Sequence, residues 1–391
     1  MKNTSPSTEV LTMLNRLIEF KTVSRDSNLD LIEWAKCYLE DLGFDIRLTY
    51  NSDKNKANLF ATIGSQDDAA GIVFSGHTDV VPIDGQNWNT DPFKATIIDN
   101  KVYGRGTCDM KGFVSVLLAK APAFASAKLN KPVHFALSYD EEVGCLGVKG
   151  LLNDLGHLKI QPSGCIIGEP TEMKVITAHK GKRAYRCNIH GKEAHSSIAP
   201  KAVNAIHYAA NLINHIDEVS KKFEKEKTWQ SGFDIPFTTL LTSMINGGIA
   251  TNVVPKSCEF SFEYRYLPDV DPDLIFMGIR EYAENTLIPK MRKIYSDAAI
   301  EFDELMDYPG LFTESSHDLT QFVKKLTPNP KLAKVAFGTE AGRFSKAGIP
   351  SIVCGPGSIE QAHKPNEFIT FEQLNYCESM IDNFLSDVTD E

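Results

Sequence analysis

Apolar residues along the first part of the chain recur with two different periods. Val10, Leu14, Leu17 and Ile18 share one helical face, spaced as an amphipathic helix requires, and predict a helix over residues 10–20. A second helical pattern, residues 29–42, closes at Gly43, a residue suited to the left-handed turn at a helix end. Short apolar runs at residues 58–63, 71–75, 133–138 and 165–167 read as strands, with residues 113–127 as a helix between them. This alternation predicts an α/β/α domain, a mixed sheet with helices on both faces.

Near residue 183 the pattern changes. Tyr185, Cys187 and Ile189 alternate with polar residues, as in a half-buried strand. A long helix is expected over 202–225, strands over 237–244 and 259–266, a helix over 272–287 that starts at Pro272, and a strand over 298–305. The order β-α-β-β-α-β is that of a ferredoxin-like module. After the turn Asp307-Tyr308-Pro309-Gly310 the first pattern resumes, with a helix over 316–326, a strand over 351–354 and a helix over 371–385. The expectation is a principal α/β domain built from residues 1–181 and 310–391, interrupted by an inserted lid domain, residues 182–309. An exposed edge of the inserted sheet would be a natural surface for forming a homodimer.

At 391 residues the chain exceeds the usual size of one hydrophobic core, which agrees with two domains. A net charge of −10 argues against nucleic acid as a partner, since phosphate backbones are bound by clustered Lys and Arg. The densest basic run, Lys221 to Lys227, is interleaved with Glu224 and Glu226 and reads as a solvated helix face. No apolar stretch approaches the ~20 residues of a membrane span, and the N-terminal segment has no apolar signal core. A cytoplasmic protein without a membrane partner is expected. The eight cysteines form no CxxC pair; buried, reduced thiols are expected rather than a zinc–thiolate site.

Four motifs share one geometry, an apolar strand followed at once by a ligand-type residue. They are IVFSGHTD with His77 and Asp79, HFALSYDEE with Asp140, Glu141 and Glu142, CIIGEPT with Glu169, and IVCGPGSIEQAH, which leads to His363. Ligands of open α/β sheets bind beyond the carboxyl ends of strands, so strands lying side by side would gather these four loops. A fifth motif, GRGTCDMKGF, sets Asp109 just ahead of the helix expected from Phe113. Singly, each has a plainer reading: a histidine bonded to a nearby acid, an exposed acid pair, a glutamate capping a helix. Together, the two histidines and three carboxylates suit a pair of divalent ions, each with one His and one Glu and with an Asp shared between them. Such ions, ~3.5–4 Å apart, activate a water and polarise a carbonyl. Nitrogen and oxygen ligands without thiolate fit Zn foremost, or Co or Mn. Asp79 is spaced to accept the second imidazole N–H of His77. The acid of the Glu141–Glu142 pair that is not a ligand would be the general base.

GHTDVVP, GRGTCDMKG, DEE, GEPT and QAHKPNE occur in an order and spacing that resembles the M20 metallopeptidases, which include aminoacylases, glutamate carboxypeptidases and desuccinylases. The likeness covers nearly the whole chain. AHKG after GEPT, HSS with VNAI, TEAGRF and GPGSIEQAH look most like the acetylornithine deacetylase branch. The resemblance implies hydrolysis of a small N-acyl amino acid, N-acetyl-ornithine first among them, at two divalent ions. It places His77, Asp109 and Glu169 on one ion and Asp109, Glu142 and His363 on the other. Glu141 would take a proton from water and pass it to the leaving amine, and Asp79 would orient His77. A cis peptide between Asp109 and Met110 is also implied.

In the inserted domain, His195 (GKEAHSS) resembles a histidine that reaches a dimer mate's site and polarises the scissile carbonyl; its plainer reading is a local cap beside Ser196 and Ser197. Asn252 (ATNVVP) and Arg265 (EYRYLP) resemble positions near the substrate. Arg265 would take the substrate carboxylate as a bidentate partner, or else form a strand-surface salt bridge. His134, His157, His190, His207, His215 and His317 carry no ligand signal, and His179 lies near the domain junction. An inactive scaffold relative would be expected to lack one of the metal or base residue types, and every one is present.

Overall fold

The structure, a computed structural model, describes residues 5–64, 71–226 and 230–389. The chain opens with helices α1 (Thr8–Glu19) and α2 (Leu29–Asp41), then strands β1 (Asp45–Tyr50), β2 (Ala57–Ile63), β3 (Ile72–His77), β4 (Thr96–Ile98) and β5 (Lys101–Tyr103). Helix α3 (Lys111–Ser126), β6 (Val133–Ser138), α4 (Val148–His157), β7 (Gly164–Pro170) and β8 (Val175–His179) follow. The middle of the chain forms β9 (Gly181–His190), α5 (Ala205–Lys225), β10 (Thr239–Gly247), β11 (Ser257–Tyr266), α6 (Pro272–Tyr282), α7 (Ile288–Arg292) and β12 (Ala299–Tyr308). Last come β13 (Leu311–Phe312), α8 (Asp318–Leu326), β14 (Leu332–Val335), α9 (Ala341–Lys346), β15 (Ser351–Gly355), β16 (Phe368–Thr370) and α10 (Phe371–Asp387). Ser7, Asn204, Asp271 and Thr370 each accept a backbone N–H at a helix start, which satisfies a donor the helix itself cannot.

The elements divide into two compact units. One comprises Met1–Ala178, Leu311–Lys334 and Thr339–Glu391; the other comprises His179–Gly310 and Val335–Gly338. The first unit is built on a mixed sheet ordered β1-β2-β6-β3-β7-β15-β8-β13, with β14 beside β8. Its central strands β6, β3, β7 and β15 run parallel, while β1 and β2 are antiparallel. Successive residues of a strand face opposite sides of a sheet. On β3, Phe74 packs edge-on against Phe384 of α10 at 4.8 Å, whereas Ser75 Oγ donates to Glu340, just ahead of α9, at 2.5 Å. Helices therefore cover both faces. The predicted stripe Val10, Leu14, Leu17 and Ile18 is fully buried and shares one core with Phe113, Phe124 and Phe135; burying such a side chain contributes roughly 1.5–3 kcal/mol.

In the second unit the sheet order is β10-β11-β9-β12 with every pairing antiparallel, the ferredoxin-like arrangement. Ala209, Leu212 and Ile216 of α5 and Ile275 and Ile279 of α6 pack with Cys187, Ile189, Phe260 and Phe262 of the sheet. Two details depart from the sequence pattern. The helix expected over 272–287 passes through a wider turn at Ala283–Leu287 into α7, next to Pro289, which has no N–H to continue the ladder. Strand β12 runs to Tyr308 through a bulge between Glu304 and Met306, and the extra residue breaks the alternation at 305. Of the basic run, residues 221–225 lie in α5, and Lys227 is outside the described residues.

Candidate active site

The parallel strands β6, β3, β7 and β15 end on the same side of the first unit's sheet. His77 is the last residue of β3, opposite Ser138 at the end of β6, and Asp140, Glu141 and Glu142 follow directly. Glu169 sits near the end of β7, where Pro170 faces Gly355 at the end of β15. From there the chain turns through the GPGS loop to His363. Asp109 stands before the first turn of α3, and its peptide bond to Met110 is cis.

These side chains converge. Asp109 divides its two oxygens between the histidines: Oδ1 is 3.0 Å from His77 Nε2, and Oδ2 is 3.3 Å from His363 Nε2. His77 Nε2 is 3.8 Å from Glu169 Oε1, and His363 Nε2 is 2.9 Å from Glu142 Oε2. Ligand atoms of His77, Glu141 and Glu169 lie within 4.8 Å of one another, as do those of His77, Asp109 and Glu142. His77, Asp109 and Glu169 are buried, whereas His363 is 54% exposed at its side chain.

The electrostatics follow from crowding buried and half-buried acids together. Burial pushes Glu141 up to about 8, with the charges of Glu142 and Asp109 adding to it. Glu142 rises to about 7 through burial and the charge of Asp109, and Glu169 rises well above the carboxylate range for the same reasons. Asp109 goes the other way: burial opposes ionisation, but hydrogen bonds from His363 and His77 together hold it low. Hydrogen bonds to Asp109 and Glu142 raise His363 to about 10. Carboxylates that raise one another's proton affinity create a negative potential that favours a cation. The donors are nitrogen and oxygen, which suits borderline and hard divalent ions. The residues present thus fit a pair of divalent ions, with Asp109 placed to touch both.

Asp79 differs from the expectation in an informative way. His77 Nδ1 bonds the carbonyl of Asp79 at 2.9 Å, while the Asp79 carboxylate is 3.7 Å from that nitrogen. The bond expected from the carboxylate is made by the backbone, and it equally places the proton on Nδ1 and leaves Nε2 for a metal. The carboxylate instead accepts from the backbone N–H of Glu141 and of Glu142, at 3.1 and 3.3 Å, and from Ser24 Oγ at 2.8 Å. It fixes the loop that carries Glu141 and Glu142.

Several supporting residues have no role assigned from the sequence, although Asp140, Glu340 and Glu367 stand inside its motifs. Lys56 Nζ pairs with Asp140 at 2.6 Å, next to the acid pair. Cys145 Sγ donates to Glu141 Oε1 at 3.2 Å. Glu340, fully enclosed, accepts from Ser75 and from Ser138 Oγ at 2.8 Å and so ties β3 to β6 below their ligand-bearing ends. Glu367 accepts from Arg105 and from three backbone N–H groups of the loop that carries Asp109.

The remaining predicted residues lie in the second unit. His195 is exposed; its Nδ1 accepts from Ser197 N at 3.2 Å and is 2.8 Å from Ser197 Oγ. An accepting Nδ1 puts the proton of the neutral ring on Nε2. Asn252 is close by, its carbonyl accepting from Ser196 N at 2.9 Å. Arg265 on β11 is apart from these two and bonds Glu263 at 3.2 Å and the carbonyl of Ala336 at 3.3 Å.

Comparison with known proteins agrees with this geometry. Residues 73–387 match Peptidase family M20/M25/M40. The chain is 34% identical over 383 residues to the acetylornithine deacetylase of Pasteurella multocida (strain Pm70), covering 96% of this chain and 97% of that one. Among solved structures it superposes on the M20 family metallo-carboxypeptidase Sso-CP2 from Sulfolobus solfataricus with a TM-score of 0.77 at 19% identity, covering 97% and 99% of the two chains. It also superposes on the YXEP protein of Bacillus subtilis, described as a dinuclear metal binding peptidase, with a TM-score of 0.68 at 16% identity over 98% of each chain. The chain belongs to peptidase family M20/M25/M40 and is a metal-dependent hydrolase.

Proposed function

We propose that the protein removes the acetyl group from N2-acetyl-L-ornithine, releasing L-ornithine and acetate. The observation that carries the chemistry is the division of Asp109 between His77 and His363, the arrangement a carboxylate shared by two ions requires. The choice of substrate is supported by likeness to acetylornithine deacetylases along nearly the whole chain.

Two divalent ions, Zn2+ foremost, would be held by His77, Asp109 and Glu169 and by Asp109, Glu142 and His363. Bound there, they would supply an acidified water and a polarised amide carbonyl. Glu141 takes the proton of the attacking water and delivers it to the departing amine. Its place among the proposed ligands, with its carboxylate within 4.8 Å of ligand atoms of His77 and Glu169, suits a group that takes a proton from a water at the ions and returns it. Its backbone is held by Asp79. His195, with Nε2 as donor, would hydrogen-bond the scissile carbonyl oxygen in a dimer mate's site, and Asn252 and Arg265 would bind the amino-acid end of the substrate.

The domains proposed are the catalytic α/β domain, residues 1–181 and 310–391, and the lid and dimerisation domain, residues 182–309. A homodimer through the lid is supported by its two unlike edges. Strand β10 (TLLTSMING) carries no charge and exposes Leu241, Met244 and Ile245 by 58, 65 and 57%. The opposite edge, β12, carries Glu301, Asp303, Glu304 and Asp307, charges that discourage pairing. Eight free thiols, seven of them buried, support a reducing, cytoplasmic setting. Among the described residues, no helix is long and apolar enough to cross a membrane.

The deciding experiment is hydrolysis of a panel of N-acyl amino acids after reconstitution with Zn2+, Co2+ or Mn2+. N-acetyl-L-ornithine should give the highest kcat/KM. A clear preference for N-succinyl-diaminopimelate, or for acylated neutral amino acids, would transfer the chain to a desuccinylase or aminoacylase reading.

A further inference from the structure

Glu367 is a buried acid that the proposed reaction does not use. It follows His363 by four residues and is 1% exposed. Its carboxylate makes four hydrogen bonds. Oε1 accepts from the backbone N–H of Cys108 at 2.8 Å and of Asp109 at 3.1 Å. Oε2 accepts from Gly106 N at 3.0 Å and from Arg105 Nη1 at 2.7 Å. Its own carbonyl accepts from Gly104 N at 3.0 Å. The segment from Gly104 to Asp109 has neither strand nor helix partners for these donors, so one side chain supplies what secondary structure would otherwise provide.

The same cluster reaches the other histidine loop. Arg105 Nη2 donates to Gln86 Oε1 at 2.7 Å, and Gln86 Nε2 donates to the carbonyl of His363 at 3.0 Å. Arg105 Nη1 is also 3.3 Å from the carbonyl of Lys364, and the guanidinium lies over the Trp88 ring at 5.1 Å. There are thus two arms from one carboxylate: a direct one to the backbone of Asp109, and a relayed one through Arg105 and Gln86 to the backbone of His363.

We propose that Glu367 is a positioning residue that sets the spacing of Asp109 and His363, and thereby the affinity of the site for its pair of divalent ions. The direct arm governs both ions, because Asp109 faces both histidines. The relayed arm governs only the ion that His363 holds. The inference rests on the two-ion reading of the site and not on the choice of substrate.

The test is Zn2+ binding to the metal-free full chain, measured by calorimetry with a competing chelator, alongside the melting temperature of the metal-free protein. Wild-type protein should bind two ions; binding of none would sink the two-ion reading itself, before any variant is compared. Glu367→Gln keeps the size of the side chain but turns one acceptor into a donor facing backbone N–H groups. It should weaken both ions by about 10–100-fold, as loss of an outer hydrogen-bond partner does at other metal sites. Gln86→Ala removes the relayed bond to the His363 carbonyl at a partly exposed position, leaving the contact of Arg105 with Lys364, and should weaken one ion while the other keeps wild-type affinity. A Glu367→Gln protein that melts lower without metal yet binds both ions at wild-type affinity would show a purely structural residue and overturn the proposal. If Glu367→Gln does not fold, Gln86→Ala decides: one weakened ion supports the proposal, and none or both equally weakened refutes it.

Discussion

His134 should make the fold sensitive to acid in a way that can be calculated. It lies in β6, 3% exposed, with its ring stacked on Phe60 at 5.0 Å and Nδ1 paired with Thr62 Oγ1 at 2.9 Å. Nε2 meets no partner among the described residues. Burial pushes its pKa down to about 4, from an ordinary value of 6.5. The folded protein therefore holds a neutral ring at pH values where the unfolded chain binds a proton, and stability rises with pH across that window. The contribution is complete above the unfolded value and is lost as pH falls toward the folded one. From about pH 7.5 to about pH 5 the loss comes to about 2 kcal/mol, with a ceiling of roughly 3 kcal/mol at lower pH. His134→Phe keeps the aromatic stack and removes the titration. Urea unfolding of both proteins, metal-free so that ion release contributes equally, should show the variant gaining about 2 kcal/mol on the wild type across that pH range. Parallel stability curves would mean that His134 is hydrated or bonded at Nε2 and that the reasoning fails.

Three further outcomes are expected. Glu141→Gln should lower kcat by about 10²–10⁴-fold, the usual range for losing a general base, with metal content by elemental analysis unchanged; retained turnover would assign the base elsewhere. Removing the ions with a chelator should lower the melting temperature, and restoring Zn2+ to 100 times the dissociation constant of each site should return about 2.7 kcal/mol per ion, about 5 kcal/mol for two; a melting temperature indifferent to metal would contradict the two-ion site. Gly168→Ala would drive a methyl group into the Phe113 ring next to Glu169. It should cost about 1–3 kcal/mol of stability and weaken metal binding, and an unchanged thermal transition would show that α3 can withdraw.

The ligand-bearing strands were legible because their chemistry interrupts long buried runs. β3, β6, β7 and β15 are apolar nearly throughout and break at His77, at the acids from Asp140 and at Glu169. The second unit was legible from β11, whose burial alternates residue by residue. Other elements left weaker traces. β1 has no fully buried residue, so periodicity could not find it, and α4 contains Gly150 and Gly156, poor helix formers that tertiary packing overrides. The supporting acids stand inside quoted motifs, Glu340 in TEAGRF and Glu367 in QAHKPNE, but their tasks could not be read there for a different reason. The partners of Glu367 lie about as far away in sequence as Gly106, and those of Glu340 are two serine hydroxyls. No local spacing announces a side chain whose partners are backbone amides far along the chain. Asp79 shows the converse: its spacing from His77 predicts a bond from the imidazole to its carboxylate, but the carbonyl makes it and the carboxylate turns to the loop of Glu141 and Glu142.

Asp79 and Glu367 solve the same physical problem. A ligand at a strand or helix end sits in a loop whose backbone donors have no ladder to join, and a buried unpaired N–H costs about 1–3 kcal/mol. Each acid accepts several of these donors at once: Glu141 and Glu142 for Asp79, and Gly106, Cys108 and Asp109 for Glu367. Using carboxylates for this task makes the loops rigid, because bonds to a charged acceptor are the stronger kind. It also adds negative charge behind proposed ligands that are already acidic; Lys56 and Arg105 each lie against one acid, and buried Lys111 stands in the field of Asp79 and Glu367. Burial first, and then the negative charge of the cluster itself, with Asp109 in every case and Asp79 a smaller contributor at Glu141, raises the proton affinity of Glu141, Glu142 and Glu169. Divalent cations would discharge that negative charge, so metal binding and the rigidity of the two loops are coupled through the same carboxylates. Loss of metal should therefore loosen the loops around Asp109 and Glu141 before it disturbs the sheet beneath them, an order that amide exchange in metal-free and metal-loaded protein would reveal.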